Sequence, residues 1–302
     1  MNAKIVDWTV EQYNADTTRL RSSSLRTILE PQGPRAFYLK HVAPLPAIDD
    51  GESSKITEMD LGNLLHDYIL RGRVGWIVND DNKNSTKFKE FKKANTDKLI
   101  LSTSQETKLL RWIDAANRNP EAKRIIESGY SEVTGVMDYE IEIDGEVETI
   151  PCKCRWDILC GDTGEDWDIK TTRATDRRGF ERQATDLGYH VQAGFYDLHK
   201  EALGIHLAKH SYIVVMKSDP SYCYVWPVSH QLMEIGRSFA VEALRRVAKC
   251  RKDERELLKK NPDANPMDAW PDYLEVNQSD ELQPDPWTAT RAGTVEAEER
   301  GW

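Results

Sequence analysis

Three consecutive segments near the middle of the chain constrain the fold more than any other feature. Apolar and polar residues alternate in "SEVTGVMDYEIEID", the pair "GE" at 145–146 forms a turn, and "VETIPCKCRWDIL" runs back. A second turn, "GDTGED", leads into "WDIKTT". Alternation with a period of two is typical of strands, and short turns join neighbouring strands in antiparallel order. We therefore expect three antiparallel strands over residues 131–172.

The segments on either side of these strands show helical periodicity. "ITEMDLGNLLHDYIL" predicts one helix, and "SQETKLLRWIDAANRNPEAKRIIESG" predicts one or two helices that end at Gly129. "TDLGYHVQAGFYDLHKEALG" predicts a helix with Leu187 on its apolar face and its end at Gly204. "HSYIVVM" and "YCYVWPV" predict two more strands, and a long helix runs from His230 to about Lys260. The fold class is therefore α/β, with a mixed central sheet flanked by helices in αβββαβ order.

The chain divides into three regions. Residues 1–55 form an amino-terminal region; within it, residues 1–50 place Pro and Gly between short apolar stretches, which predicts one short helix and then extended chain. Residues 56–260 carry the periodic segments and form the main domain; within them, the polar, Lys-rich residues 79–104 predict a loop or lid. Residues 261–302 are rich in acidic residues and Pro, which predicts an irregular tail.

Composition bounds the class of protein. With 39% hydrophobic residues and nine tryptophans, a chain of 302 residues can bury a substantial core, which excludes global disorder. The sequence has no apolar run of about 18 residues and no signal-peptide pattern at its start, so we expect a cytoplasmic protein without membrane contact. The five cysteines are odd in number and favour a reducing compartment.

The charge is unevenly distributed. The net charge is −10, but residues 261–302 contain ten acidic and two basic residues, which leaves the other 260 residues with a net charge of −2. That part of the chain contains local basic clusters: "RLRSSSLR", "KFKEFKK", "RRGFER" and "RRVAKCRK". The acidic total therefore does not exclude a nucleic-acid partner.

Two aspartates and a lysine on neighbouring strands are the strongest chemical signal. In "WDIKTT" Asp168 and Lys170 point to one face, and Asp157 lies on the preceding strand. If pairing brings Asp157 opposite Asp168, two carboxylates and an ammonium meet, and hard oxygen ligands in that arrangement suit Mg²⁺ or Mn²⁺. From spacing alone the alternative stays open: solvated hairpin residues paired with Arg155 and Lys170.

Other residues could extend this group, although each is weak evidence alone. Glu132, at the start of the first strand, could add a third carboxylate or be a surface residue. His66 lies in the pattern G-x-x-x-H on the first helix and could be a metal ligand or a core histidine. Gln192 and Tyr196 are four residues apart and therefore share a helix face.

Taken together, these residues resemble a known nuclease family. Five motifs occur in one order along the chain: G-x-x-x-H at Gly62–His66, the strand Glu132, R-x-D at Arg155–Asp157, D-x-K at Asp168–Lys170 and Q-x-x-x-Y at Gln192–Tyr196. The set resembles the RecB-like branch of the PD-(D/E)xK nuclease superfamily. "CKCRWDIL", "DWDIKTT" and "YHVQAGFY" are similar to RecE-type (exodeoxyribonuclease VIII-like) exonucleases, and the similarity spans roughly residues 20–230.

The resemblance implies a PD-(D/E)xK nuclease core and a metal centre within it. Asp157 and Asp168 would hold divalent metal ions, Mg²⁺ or also Mn²⁺, with the backbone carbonyl of Ile169 as a further ligand. His66 would ligate a metal. Lys170 would act on the attacking water.

The resemblance also implies supporting and DNA-contacting residues. Glu132 would help position the metal or the water, and Gln192 and Tyr196 would position the lysine and the DNA strand. Residues 1–55 would guide the DNA end into the site, with "KFKEFKK" as either a DNA-contacting lid or a solvated charge run. The expected DNA-binding residues are Arg26, Arg155, Thr171, Thr172, Arg173, Arg177, Arg178 and Arg182.

Two features depart from the family pattern or compete with it. Relatives often carry proline within R-x-D where this chain has Trp156, which could stack on a base or simply be a packed aromatic residue. Cys152, Cys154 and Cys160 could suggest a metal–thiolate site, but two thiols on one strand face without further partners favour packed side chains.

The resemblance implies a function and partners. We expect an Mg²⁺-dependent exodeoxyribonuclease that degrades the 5′-ended strand of linear duplex DNA and leaves a 3′ single strand. A single-strand annealing recombinase would be its partner, and a homo-oligomeric ring would hold the DNA. The alternatives are a RecB-like nuclease of other polarity, an endonuclease, or an inert DNA-binding protein.

Overall fold

A six-stranded sheet forms the centre of the protein. The computed structural model describes residues 2–44, 56–205 and 209–272. The strands are β1 (Asn2–Val6), β2 (Trp76–Val78), β3 (Leu99–Leu101), β4 (Tyr130–Ile143), β5 (Glu146–Leu159), β6 (Asp166–Thr172), β7 (His210–Met216) and β8 (Tyr222–Pro227). The sheet order is β1-β4-β5-β6-β7-β8, and β2 and β3 form a separate parallel pair.

Helices cover both faces of this sheet. They are α1 (Val10–Ala15), α2 (Ser22–Leu29), α3 (Gly33–Phe37), α4 (Glu58–Arg71), α5 (Thr86–Ala94), α6 (Thr103–Arg118), α7 (Pro120–Ser128), α8 (Arg177–Asp186), α9 (Tyr189–Ala202) and α10 (His230–Lys260). A π-helical turn at Tyr38–Val42 follows α3, and a 3₁₀ turn at Pro266–Ala269 follows α10.

The predicted α/β fold with a mixed, mostly antiparallel sheet is confirmed. β4, β5 and β6 pair in antiparallel order, and β6 pairs with β7 in parallel. The β4–β5 turn places Asp144 at φ 52° and Gly145 at φ 80°, the left-handed conformations that a tight hairpin turn requires. The parallel β6–β7 pair needs a crossover connection, which α8 and α9 supply.

The amino-terminal region differs from the sequence expectation. Instead of one short helix and extended chain, residues 2–44 form a strand, three helices and a π-helical turn. β1 pairs with the sheet edge at β4, so its structure depends on a distant partner rather than on its own periodicity. Residues 45–55 of the predicted entry segment lie outside the described residues.

Two further predictions were wrong in detail. The Lys-rich residues 79–104 are not a loop, because they contain the helix α5 and the strand β3. The helix expected from 185 onward begins only at Tyr189. Gly188 takes φ 68° and separates it from α8, and Leu187 is an exposed helix cap rather than part of an apolar face.

The core has one apolar layer on each face of the sheet. β7 shows the division, because Ile213 and Val215 pack with α4, α6 and α7, whereas Tyr212 and Val214 pack with α8. A second large cluster joins β4 and β5 to α2, α9 and α10. The catalytic candidates therefore lie on strands that are buried on both faces.

The packed part of the chain extends past the predicted boundary at residue 260. Trp270 is fully buried, stacks on Phe37 with ring centroids 5.6 Å apart, and donates a hydrogen bond to Glu254 (2.7 Å). Residues 273–302 of the predicted tail lie outside the described residues. Within the described ranges, no helix combines the length and apolar character needed to cross a membrane.

Candidate active site

The pairing of β5 with β6 brings the two predicted aspartates together. The ladder pairs Leu159 with Asp166 and Ile158 with Trp167, so continuing the register places Asp157 opposite Asp168. Beyond that point the backbone N–H of Ile169 donates to Oδ2 of Asp157 (2.8 Å). The Asp157 carboxylate thus accepts a hydrogen bond from a backbone N–H group just past the end of the β5–β6 ladder. This bond holds the carboxylate beside the middle of β6.

Asp168, Lys170 and α9 form one hydrogen-bonded network. Asp168 is buried and forms an ion pair with the ammonium of Lys170. Gln192 accepts a hydrogen bond from Lys170 Nζ (2.9 Å) and donates to Oδ1 of Asp168 (2.9 Å). Tyr196, one helical turn further, donates to the carbonyl oxygen of Arg155 (2.8 Å), which ties α9 to β5 as well as to β6.

The pKa values of the site residues are shifted because two carboxylates lie close together where little water reaches them. Burial, and then the charge of Asp168, raise the pKa of Asp157 to about 6. Burial alone would lower the pKa of Lys170, but the nearby carboxylates of Asp168 and Asp157 outweigh it and raise that pKa above its ordinary value. Lys170 is therefore an ammonium at neutral pH, and the two carboxylates share its charge.

Helix α4 delivers His66 to this group. Gly62 lies against β6 so closely that a Cβ atom there would be 3.4 Å from Oγ1 of Thr171. One turn later, Nδ1 of His66 is 3.5 Å from Oδ2 of Asp157. The G-x-x-x-H spacing thus combines a close helix–strand contact with a histidine beside the carboxylates.

The chemistry of these donors fits a small divalent cation. Carboxylate oxygens of Asp157 and Asp168 and a nitrogen of His66 are suitable ligands, and the buried Oδ2 of Asp168 makes no hydrogen bond of regular geometry. Among the residues that the structure describes, however, no three His, Cys, Asp or Glu side chains are grouped closely enough to hold a metal ion as they are placed. A cation between the carboxylates would have to compete with Lys170 for Asp168.

Glu132 has an unusual backbone and a partner that the sequence analysis missed. Its φ is 56°, a left-handed conformation that is rare for a non-glycine residue in a strand, and it interrupts the β4–β5 ladder opposite Asp157. Arg71 from the end of α4 forms a bidentate pair with its carboxylate. Arg155 Nε lies 3.6 Å away. No local sequence signal links Arg71 to Glu132, since they are 61 positions apart.

Two of the predicted DNA-binding residues are engaged inside the protein. Arg155 donates to the carbonyl of Trp8 (3.0 Å) and to Thr134 (2.9 Å), so it anchors the amino-terminal segment. The Thr172 hydroxyl is buried and donates to Gln183 (2.6 Å). Both side chains therefore have a structural role in this fold, and their contact with DNA stays a prediction.

The other predicted DNA-binding residues lie around the site. Arg26 reaches the carbonyl of Leu187 (3.4 Å) in the α8–α9 turn, and Thr171 faces α4 beside Gly62. The remaining four are exposed on the connection after β6 and on α8: Arg173, Arg177, Arg178 and Arg182.

The structure also decides two questions that the sequence left open. Trp156 is fully buried and packs edge-on against Tyr196 and His199, so it is a core residue and does not stack on a base. Cys152 and Cys154 are buried free thiols, and burial raises the pKa of both. Both are packed side chains of the core.

The fold and the site define a class: an α/β protein of the PD-(D/E)xK superfamily. Residues 45–258 match the family described as "PDDEXK-like domain of unknown function (DUF3799)", and the chain belongs to this family. A crystal structure from Eubacterium rectale, named a "putative exonuclease", has a TM-score of 0.55 at 14% identity and covers 96% of this chain and 100% of its own. That likeness supports the fold.

Other similarities are weaker. A phage-related exonuclease from Haemophilus somnus 129PT has a TM-score of 0.27 at 12% identity, with 74% of this chain and 91% of its own covered. No curated protein matches the chain. The RecE-type assignment therefore rests on the motifs and enters below as a proposal.

Proposed function

We propose that the protein is a metal-dependent nuclease, and specifically a RecE-type exonuclease that removes the 5′-ended strand of linear duplex DNA. The observation that carries the proposal is the joint placement of Asp157, Asp168 and Lys170, with Gln192 bonded to both members of the D-x-K motif. A purely structural hairpin has no need of a buried carboxylate beside a second, half-buried one, because bringing like charges together away from water is costly.

The chain's own residues would carry most of the reaction. Asp157, Asp168, His66 and the Ile169 carbonyl would hold Mg²⁺, or Mn²⁺, which when bound supplies a Lewis acid and an activated water. Lys170, an ammonium at neutral pH, would orient the attacking water and stabilise negative charge on the phosphate rather than accept a proton.

The surrounding groups would keep Lys170 in place. Gln192 holds its ammonium through the side-chain oxygen, and Tyr196 fixes α9 against the Arg155 carbonyl. Glu132 would act indirectly, because Arg71 already neutralises its carboxylate. The exposed arginines after β6 would contact DNA phosphates, whose positions carry no sequence information.

The remaining parts of the proposal concern partners. The 3′ single strand left by such an enzyme is the substrate of a single-strand annealing recombinase, which we propose as its partner. A homo-oligomeric ring around DNA would give processivity. A cytoplasmic location, in a bacterial or phage-infected cell, agrees with five unpaired thiols.

The experiment compares wild type and Lys170→Ala on linear duplex DNA labelled at the 5′ or the 3′ end, with Mg²⁺ or EDTA. Lys123→Ala, an exposed lysine on α7, is the matched control. We expect early release of 5′-terminal nucleotides by wild type and the control only, while Lys170→Ala still binds DNA in EDTA. Early release of 3′-terminal nucleotides would show the opposite polarity. Cutting of closed circular DNA would indicate an endonuclease, and inertness on all substrates would indicate a binding protein.

A further inference from the structure

The edge strand β8 carries an exposed row of aromatic side chains. Tyr222, Tyr224 and Trp226 alternate along the strand and stack on one another, with ring centroids 6.4 Å and 5.3 Å apart for successive pairs. Tyr222 is 49% exposed and Tyr224 40% exposed. We refer to these three residues as the aromatic row. Large exposed aromatic surfaces of this kind mark interaction sites.

The aromatic row lies on the same face of the sheet as the D-x-K motif. Across β6, β7 and β8 the register aligns Lys170 with Val214 and Tyr224, and paired residues point to the same face. Two strand spacings separate Lys170 from Tyr224, which is about 10 Å between their backbones. The row is therefore close to the candidate active site and not on a remote surface.

Ring contacts connect the active site to this edge. The Lys170 ammonium lies 4.4 Å from the ring centroid of Tyr189, whose ring is 6.3 Å from Phe180. Phe180 in turn is 5.3 Å from Trp226. An open cavity of about 420 Å³ lies between α8 and β8, with Phe180, Trp226 and Arg177 in its lining.

Helix α8 presents one arginine, Arg177, to the cavity that Phe180 and Trp226 line. Arg178 and Arg182 are exposed on the opposite side of this helix from the buried Phe180. Of the nearby acidic groups, Glu181 pairs with Arg177 (3.0 Å) and Asp176 caps the backbone N–H of Gly179 (2.6 Å). Aromatic rings beside a cationic side chain are the combination that binds single-stranded nucleic acid, since bases stack on the rings and phosphates contact the cation.

We propose that the aromatic row on β8 binds unpaired bases of single-stranded DNA beside the active site. The choice of single-stranded DNA as the ligand rests on the proposed nuclease function, because such an enzyme turns a duplex into a single strand next to the point of cleavage. Tyr222 and Tyr224 supply exposed stacking surfaces, and Arg177, beside Trp226, supplies a phosphate contact. The binding is tolerant of sequence, because every base has a face that can stack.

The test measures binding without cleavage. Fluorescence anisotropy in EDTA compares a labelled oligodeoxythymidylate with an abasic oligonucleotide of the same length. We expect wild type to prefer the oligonucleotide with bases. Tyr222→Ala and Tyr224→Ala should each weaken its binding about fivefold, at the lower end for base–aromatic stacking, and the double variant should lose the preference. Tyr130→Ala replaces a still more exposed tyrosine, on β4, three strands away from β7 in the sheet order; this variant is the control and should bind normally.

Other results would overturn the inference. They are equal binding of both oligonucleotides by wild type, unchanged affinity of the double variant, or conversion of an oligomer to monomers in sedimentation velocity when both tyrosines are replaced. The last outcome would make β8 a contact between copies of this chain. Base-dependent binding that needs both tyrosines supports the inference whether or not wild type cleaves DNA, so its failure and that of the nuclease proposal are distinguishable.

Discussion

A buried ion cluster at the start of β6 gives the sharpest stability prediction, through the variant Lys200→Met. Lys200 Nζ lies 2.7 Å from Oδ1 of Asp166, and His210 Nδ1 lies 2.6 Å from Oδ2. All three side chains are buried almost completely. Burial would raise the pKa of Asp166, but His210 and Lys200 outweigh it and lower that pKa, so the carboxylate is charged at neutral pH.

The expected cost follows from this burial. Removing one partner of a buried ion pair leaves an uncompensated charge and costs about 3–5 kcal/mol. Because His210 still binds the second carboxylate oxygen, we expect the lower end for Lys200→Met, about 3 kcal/mol. Since domains are stable by only about 5–15 kcal/mol, this loss is easily measured.

Urea unfolding at pH 7 provides the assay. Lys123→Met, at an exposed position on α7, should change the free energy of unfolding by less than about 0.5 kcal/mol. Adding Asp166→Asn to Lys200→Met should restore a large part of the loss, because the unpaired charge is removed with its partner. A loss below about 1 kcal/mol in Lys200→Met, or no recovery in the double variant, would refute the argument.

Three further predictions concern the site and its support. Gln192→Ala removes the hydrogen bonds to Lys170 and Asp168 and should lower the cleavage rate about 10- to 100-fold, as measured by single-turnover kinetics. Asp157→Asn removes a half-buried charge with a raised pKa, so the melting temperature of the variant in EDTA should equal or exceed that of wild type, while any stabilisation by added Mg²⁺ should disappear. Burial lowers the pKa of His199 to about 4, so as the pH falls this histidine is protonated in the unfolded chain before it is protonated in the folded one. Its contribution to stability is complete above about pH 6.5 and should fall by about 2 kcal/mol between pH 7 and pH 5, a loss that His199→Gln should abolish in urea unfolding.

The sequence predicted the elements whose signals are local. β4, β5 and β6 alternate and are joined by turn residues, and α4 has a regular apolar stripe, so their positions followed from periodicity alone. The placement of Asp157 opposite Asp168 followed from the same register. These residues form the centre of the site, and their roles in catalysis stay a prediction.

What the sequence did not reveal depends on distant partners. β1 is a short, largely exposed strand whose structure comes from pairing with β4. α8 buries only Phe180 and Ala184, too few apolar residues to show helical periodicity. Arg71 and Glu132, or Lys200 and Asp166, meet only after the chain has folded, so no spacing rule could have paired them.

Helix α9 links these observations, because one of its faces contacts the site at three successive turns. Gln192, Tyr196 and Lys200 are spaced four residues apart and reach the D-x-K motif, the Arg155 carbonyl and Asp166, respectively. The Q-x-x-x-Y motif is thus the visible part of a longer pattern that ends in a buried lysine.

The Lys200–Asp166 pair has a consequence for the site. Since Asp166 begins the strand that carries Asp168 and Lys170, this pair fixes the start of β6 to the same helix that positions the D-x-K motif in the middle of the strand. A change at Lys200 should therefore reduce cleavage as well as stability, although Lys200 contacts none of Asp157, Asp168 and Lys170 in any interaction described above.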